Sequence, residues 1–202
     1  MNLPANPEAV IVFAWRHPKP VGAAGRCVGR VDLPVDPRKA RRLAYRLCEL
    51  ARKNQLPREV LTSPLRRCAD VGRILRRWGW RHRIDPALLE VDFGNWDGRH
   101  WSAIGRDAID AWCNDLAHGC PGGGESVVDL LRRVAAWQPG CARLLVGHGG
   151  WLSAATWLAE NGAAAIGRAI DPGEWPAAPA YASSCKLVVP LAPGGHAGYG
   201  RP

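Results

Sequence analysis

Residues 10–18 read Val10-Ile11-Val12-Phe13-Ala14-Trp15-Arg16-His17-Pro18, and this stretch decides the fold. Six consecutive apolar residues that begin with three β-branched ones are typical of a central strand in a parallel sheet. Pro18 ends the strand because it lacks the N–H group that a sheet needs. Ligands of open α/β sheets bind beyond the carboxyl ends of the strands, so Arg16 and His17 lie where chemistry is expected.

A second apolar run also ends in a histidine. Leu144-Leu145-Val146 is followed by Gly147-His148-Gly149-Gly150. If both runs are strands of one parallel sheet, their ends bring His17 and His148 together. One such histidine alone is as often an ordinary strand-end residue as a functional one. Two of them beside an arginine favour a functional site.

The rest of the chain alternates between predicted helices and strands. Helical spacing of apolar residues predicts helices over residues 36–54, 63–77, 102–116, 126–137 and 151–160, and further strands are predicted over 60–62, 81–84 and 184–189. Asp36, Ser63 and Ser126 are predicted N-caps. This order predicts an α/β fold, a doubly wound three-layer α/β/α arrangement around a mostly parallel sheet. With no linker in view, we expect a single domain over 1–202, with loose termini at 1–9 and 192–202.

The composition limits the classes of partner. The net charge of +9 comes almost entirely from arginine, a bias that is common in proteins from GC-rich genomes and also suits an anionic substrate. The arginine pairs fall in predicted helices, where most are expected on solvated faces, so we expect no nucleic-acid partner. A nucleic-acid binder would need the charge gathered on one face, which a sequence does not show. No apolar run approaches the roughly 18 residues of a membrane span, so we expect no membrane partner.

The cysteines and the N-terminus indicate a compartment. Seven cysteines, odd in number and without a C-x-x-C pair, predict reduced and mostly core thiols rather than a disulfide framework or a zinc site. The first residues show no signal-peptide pattern, so a cytoplasmic protein is expected. We also expect neither a metal nor a cofactor, since no metal-ligand spacing and no phosphate-binding glycine motif is present.

Two histidines with nearby arginines and a carboxylate suit phosphoryl transfer through a histidine. A neutral imidazole can attack phosphorus, and surrounding cations both hold the phosphoryl oxygens and lower the imidazole pKa. The guanidinium fork matches a phosphate with two hydrogen bonds.

Six short motifs follow one another along the chain: Arg16-His17, Cys27–Pro34 (CVGRVDLP), Ser63–Arg67 (SPLRR), Leu89–Gly98 (LEVDFGNWDG), Gly124-Glu125-Ser126 and Gly147–Gly150 (GHGG). In these motifs and their order the chain resembles the histidine phosphatase superfamily, whose fold is called phosphoglycerate mutase-like, and within it the small bacterial branch similar to α-ribazole phosphatase. Each motif alone is a weak signal, but six in order are a strong one.

The resemblance implies roles for five residues. His17 is implied to be the nucleophile that becomes phosphohistidine, and Arg16, Arg67 and His148 are implied to bind the transferred phosphoryl group. Glu90 is implied to be the general acid that protonates the leaving oxygen and then the base that activates water.

Some positions leave alternatives open. Asp92 competes with Glu90 for the acid role, and the alternative reading of both carboxylates is a solvated loop pair. Pro18 replaces the family glycine, which removes a backbone N–H beside the phosphate. Lys19 and Arg30 are the candidates to supply positive charge for substrate binding in its place.

These roles imply a metal-independent phosphomonoesterase that acts on a small phosphorylated metabolite, with α-ribazole 5′-phosphate of cobalamin synthesis as one candidate. A phosphoglycerate mutase-type phosphotransferase and a non-catalytic phospho-ligand-binding or regulatory protein on the same fold are the alternatives. A monomer or a homodimer is expected.

Overall fold

The computed structural model describes residues 9–191, which contain one five-stranded sheet. Its strands are β1 (Ala9–Arg16), β2 (Glu59–Thr62), β3 (Arg81–Ile84), β4 (Leu144–Gly147) and β5 (Ser184–Pro190). They are ordered β3-β2-β4-β1-β5, and only the β1–β5 pair is antiparallel. The prediction of a mostly parallel sheet is confirmed. β1 begins at Ala9, inside the segment predicted to be loose, and residues 192–202 lie outside the described residues.

Helices cover both faces of this sheet. They are α1 (Pro37–Lys53), α2 (Arg66–Arg77), α3 (Arg106–Asn114), α4 (Val127–Ala135) and α5 (Gly149–Asn161). Alternate residues of a strand point to opposite faces. Trp15 of β1 packs into the core under α1 and α2, whereas Val12 and Ala14 pack into the core under α4 and α5. The three-layer, doubly wound fold is therefore confirmed.

Two predicted helix caps are confirmed and one is wrong. Asp36 and Ser126 accept backbone N–H groups at the starts of α1 and α4. Ser63 does not cap α2. Its hydroxyl lies 2.7 Å from a ring nitrogen of His148, and Asp32, from the loop between β1 and α1, accepts the N–H of Arg66 at 2.6 Å instead.

The bounds of α3 and α5 differ from their predictions. α3 is shorter, because residues 101–103 form a separate 3₁₀ turn and the helix begins only after Gly105. α5 begins at Gly149, two residues before the predicted start. Its first N–H groups are bound by a carboxylate that is distant in sequence, Glu90, which no local pattern could indicate.

The cysteines are all free, but most are not in the core. Cys27 and Cys68 are buried, whereas Cys120 and Cys141 are exposed and the other three are intermediate, so the prediction of mostly core thiols is wrong. No helix within residues 9–191 is both long and apolar enough to cross a membrane.

The positive charge is gathered on one layer. α1 and α2 share a core and hence one face of the sheet, and together they carry twelve of the 27 Lys and Arg residues against only two acids, Glu49 and Asp70. The rest of the chain has 15 Lys and Arg residues and 16 Asp and Glu residues. The surplus of positive charge therefore belongs to this layer, which we call the basic layer (α1 and α2).

Candidate active site

The ends of β1 and β4 bring the two predicted histidines together. In this parallel pair Arg16 is aligned with Gly147, and the N–H of His17 donates to the Gly147 carbonyl at 3.1 Å. The next residue after each strand is therefore a histidine on the same edge of the sheet. The ring centroids of His17 and His148 are 5.0 Å apart in an edge-on arrangement.

His17 is held as a neutral imidazole, and one of its ring nitrogens has no hydrogen-bond partner among residues 9–191. Its ring is 3% exposed, and Nδ1 lies 2.7 Å from the carbonyl oxygen of Pro18. A carbonyl only accepts hydrogen bonds, so Nδ1 carries the proton and the lone pair is on Nε2. Burial, with a further contribution from Arg67 and a smaller one from Arg16, lowers the pKa of His17 from 6.5 to about 3. The ring is therefore neutral at pH 7.

Pro18 keeps the one contact that this nucleophile needs. Replacement of the family glycine by proline removes an N–H group, but the backbone carbonyl of residue 18 remains and accepts from His17. Proline at position 18 thus removes one N–H donor that could bind phosphate, but it leaves the tautomer of His17 fixed.

Arg16 lies beside His17 with part of its guanidinium unpaired. Nη1 donates to the Pro179 carbonyl at 2.8 Å, and Cζ lies 3.9 Å from the ring centroid of Tyr181. Nε is buried and has no hydrogen-bond partner among residues 9–191. A Cβ atom on Gly149 would lie 3.1 Å from this guanidinium, which explains a glycine at that position.

Arg67 is fully buried between His148 and the loop that contains residues 29–31. Its Nε donates to His148 Nδ1 at 3.1 Å, its Nη1 donates to the Val31 carbonyl at 2.8 Å, and its Nη2 donates to the Gly29 carbonyl. A guanidinium has five N–H donors, so each Nη keeps a second N–H for another acceptor. The loop and the second histidine therefore fix the direction of this cation.

His148 is also neutral and engaged on both ring nitrogens. Nδ1 accepts from Arg67, so the proton is on Nε2, which donates to Ser63 Oγ at 2.7 Å. Burial and the nearby Arg67 lower the pKa of His148 well below its usual range. Ser63 is fully buried and was missed as a site residue, although it opens the SPLRR motif.

The side chain of Glu90 lies at the N-terminus of α5, the helix that begins directly after His148. Its carboxylate accepts the N–H groups of Gly150 and Trp151 at 3.1 Å each, as well as that of Val91 at 3.1 Å. An anionic side chain is favourable at the positive end of a helix. A Cβ atom on Gly150 would lie 2.7 Å from Glu90 Oε1, so the GHGG motif leaves room for this carboxylate.

The other predicted binding residues, Arg30 and Lys19, make no hydrogen bond with His17 within the described part of the chain. Arg30 forms an ion pair with Asp92 at 2.9 Å, and its second nitrogen lies 3.9 Å from Glu125. Asp92, the alternative to Glu90 as the general acid, is therefore ion-paired with Arg30, a candidate for binding the substrate. Lys19 is exposed and forms no hydrogen bond or ion pair with any described residue.

Asp97 supports the loop that orients Arg67. Its two carboxylate oxygens accept the N–H groups of Gly29 and Val31 at 2.7 and 2.5 Å. The carbonyls of the same two residues accept from Arg67. Sequence reasoning missed Asp97, although it lies within the LEVDFGNWDG motif.

A comparison with protein families identifies the family of this chain. The family model of the histidine phosphatase superfamily (branch 1) matches residues 12–173. The chain belongs to this superfamily. The match ends before the turn that carries Tyr181 and before β5, so these parts of the histidine phosphatase lie outside the family pattern.

Two curated relatives are phosphatases. The chain is 32% identical over 155 residues to glucosyl-3-phosphoglycerate phosphatase of Mycobacterium tuberculosis, which covers 62% of this chain and 69% of that protein. It is 32% identical over 105 residues to adenosylcobalamin/alpha-ribazole phosphatase of Escherichia coli K12, which covers 46% of this chain and 52% of that protein.

Solved structures share the fold over most of the chain. "Mycobacterial hydrolase 2" is 27% identical, with a TM-score of 0.68, and the match covers 93% of this chain and 85% of that one. A complex of mycobacterial glucosyl-3-phosphoglycerate phosphatase with VO3 is 26% identical, with a TM-score of 0.65 over 87% of this chain and 90% of that one. The predicted superfamily is confirmed.

Proposed function

We propose that this histidine phosphatase hydrolyses a small phosphomonoester through a phosphohistidine formed on Nε2 of His17. The observation that carries the proposal is the state of His17. Its Nδ1–H is held by the Pro18 carbonyl, its ring is neutral, its lone pair is on Nε2, and the charges of Arg67 and Arg16 are close enough to lower its pKa. A nucleophile in this state needs no base to remove a proton before it attacks.

Arg16 and Arg67 are proposed to hold the phosphoryl oxygens. Arg16 supports this role because its Nε is a buried donor without a partner among the described residues. Burying an unsatisfied donor costs about 1–3 kcal/mol, and an anionic ligand would relieve that cost. His148 would join them only if its Nε2–H turned from Ser63 to a phosphoryl oxygen, because both ring nitrogens are engaged in this structure.

Two displacements at phosphorus balance the reaction. In the first, the Nε2 lone pair of His17 bonds to phosphorus, the ester P–O bond breaks, and Glu90 gives its proton to the leaving oxygen. In the second, water bonds to phosphorus while Glu90 takes a proton from it, and the N–P bond breaks to release phosphate and neutral His17. Glu90 is supported by its fixed place at the N-terminus of α5, where it accepts the N–H groups of residues two and three positions after His148.

Metal independence is part of the proposal. Two buried or half-buried arginines lie at the nucleophile, so protein cations are available to balance the phosphoryl charge. We expect phosphate release in excess EDTA at the rate seen without it. Loss of activity that a divalent cation restores would contradict this part.

The substrate is proposed to be a small phosphorylated metabolite, and the relatives suggest two compounds to include. A panel containing α-ribazole 5′-phosphate, glucosyl-3-phosphoglycerate and 3-phosphoglycerate would be assayed for released phosphate, with His17→Ala as the inactive control. A hydrolase releases phosphate from at least one member. Interconversion of phosphoglycerates without phosphate release would indicate the mutase alternative, and binding without turnover would indicate the regulatory one.

The basic layer favours a second candidate function, the binding of a nucleic acid. The expectation of no nucleic-acid partner rests on arginines spread over solvated helix faces, whereas α1 and α2 together carry most of the surplus positive charge. Duplex DNA would be titrated at 50 and 200 mM salt. Affinity at 200 mM salt that Arg41→Gln with Arg42→Gln weakens, and Arg106→Gln does not, would support it. If the layer only steers small anions, kcat/KM will fall with salt and no duplex will bind at 200 mM.

A further inference from the structure

A turn outside the family match, residues 179–183, is built against the nucleophile strand. The Pro179 carbonyl accepts from the Arg16 side chain at 2.8 Å, and the Ser183 carbonyl accepts the Arg16 backbone N–H at 3.0 Å. The N–H of Ala182 lies 3.1 and 3.2 Å from the carbonyls of Arg16 and His17. The turn therefore holds both residues that precede Pro18, by side chain and by backbone.

The backbone of this turn is strained and tied down. Ala182 has a φ of +57°, in the left-handed region that favours glycine. Arg46 of α1 donates to the Ala182 carbonyl at 2.6 Å, in addition to the contacts made by the Ala182 N–H. Strained backbone persists where the surroundings over-determine it, which is common at functional sites.

The side chain that this turn presents is Tyr181. Its ring centroid lies 3.9 Å from Arg16 Cζ and 5.6 Å from the ring centroid of His17. Tyr181 is 40% exposed, whereas His17 is 3% exposed. Tyr181 thus contacts both the Arg16 guanidinium and the buried nucleophile, and it remains partly accessible to solvent.

We infer that Tyr181 positions Arg16 through its ring and provides, with its open part, the surface on which the alcohol portion of the phosphate ester lies. The inference rests on the proposed function. A flat aromatic surface next to the reacting phosphorus favours esters whose alcohol portion has a flat apolar face near the phosphate, such as an aromatic ring or the C–H face of a sugar. The guanidinium contact is a cation–π interaction.

The test compares Tyr181→Leu and Tyr181→Phe on two alkyl esters of similar leaving group, benzyl phosphate and ethyl phosphate. Leucine keeps apolar bulk but removes the aromatic face, so kcat/KM for benzyl relative to ethyl phosphate should fall about tenfold. Inhibition by inorganic phosphate, which reports on Arg16, should weaken about two- to fivefold. Phenylalanine keeps the ring and should keep both values within about twofold of wild type.

The matched control is Tyr45→Leu. Tyr45 on α1 is 51% exposed and also carries an arginine, Arg41, over its ring, at 5.8 Å, but it contacts neither Arg16 nor His17 in the described part of the chain. It should change neither value. An unchanged ester preference or unchanged phosphate inhibition in folded Tyr181→Leu would overturn the inference.

Failure of the inference can be told from failure of the proposed function. Binding of inorganic phosphate, measured by calorimetry, needs no turnover. If wild type hydrolyses no ester but phosphate binding weakens in Tyr181→Leu and not in Tyr181→Phe, the positioning of Arg16 stands and the hydrolase proposal fails. If wild type is an active hydrolase and Tyr181→Leu matches it in every value, Tyr181 has neither role.

Discussion

Replacement of Glu90 by glutamine separates a role in chemistry from a role in holding α5. The carboxylate is 7% exposed and accepts three backbone N–H groups at 3.1 Å. Glutamine keeps one acceptor oxygen and places an NH₂ group against the remaining donors. Leaving a buried donor unpaired costs about 1–3 kcal/mol. In the ionised state of Glu90, loss of its negative charge at the helix N-terminus costs about 0.3–1 kcal/mol more.

The expected stability change is therefore about 1–4 kcal/mol, which for a chain of this size lowers Tm by about 2–4 °C for each kcal/mol. The catalytic change should depend on the leaving group. An alkyl phosphate needs a proton on its leaving oxygen, so Glu90→Gln should lower its kcat/KM by about 10²–10⁴-fold. p-Nitrophenyl phosphate needs no such proton, and its rate should change much less.

The assay measures phosphate release from both esters at a temperature below the Tm of the variant. Asp92→Asn is the matched control, because Asp92 lies two residues away but is about one-third exposed and paired with Arg30. Asp92→Asn should lower the free energy of unfolding by about 0–1 kcal/mol, and its effect on the rate should not depend on the leaving group. If Asp92→Asn shows that dependence and Glu90→Gln does not, the acid role passes to Asp92. An equal loss on both esters from Glu90→Gln would refute the acid role in the first step.

Three further outcomes follow from the same contacts. Ser63→Ala should leave the buried Nε2–H of His148 unpaired, so calorimetric unfolding should show a loss of about 1–3 kcal/mol and kcat/KM should fall. Unchanged stability would contradict a hydrogen bond between Ser63 and His148 that contributes to folding. Asp97→Asn should weaken inorganic phosphate binding through Arg67 while leaving the pH profile unchanged, as measured by inhibition constants. Because the folded-state pKa values of His17 and His148 lie below the ordinary value of 6.5, the unfolded state takes up protons first as pH falls. The contribution of the two histidines to the free energy of unfolding should therefore be complete above pH 6.5. As pH falls below that value, it should decline by up to about 1.4 kcal/mol per pH unit for each histidine. In a series of thermal melts, His17→Asn should reduce this slope.

The sequence predicts those parts of the site that come from local patterns. The apolar runs before His17 and before His148 identify both strands, and parallel strands end at the same edge of a sheet. The positions of Asp36 and Ser126 predict helix starts because an N-cap contacts its own first turn.

Contacts between residues distant in sequence could not be predicted in this way. Ser63 has the sequence context of an N-cap, but the hydroxyl faces His148, which is 85 positions away, and Asp32 takes over the first turn of α2. Glu90 reaches α5 across about 60 positions. In each case a tertiary partner replaces the local one, and no spacing rule contains that partner.

The central claim is that His17 carries the phosphoryl group, and trapping that group tests it most directly. The enzyme would be quenched during turnover of a ³²P-labelled ester, digested, and the labelled peptide identified by mass spectrometry. The account predicts acid-labile, base-stable label on His17, with none in His17→Ala. It also predicts that His148→Ala retains slow but measurable labelling, because His148 positions Arg67 and is not the nucleophile. Label on any residue other than His17, or turnover in His17→Ala, would contradict the account.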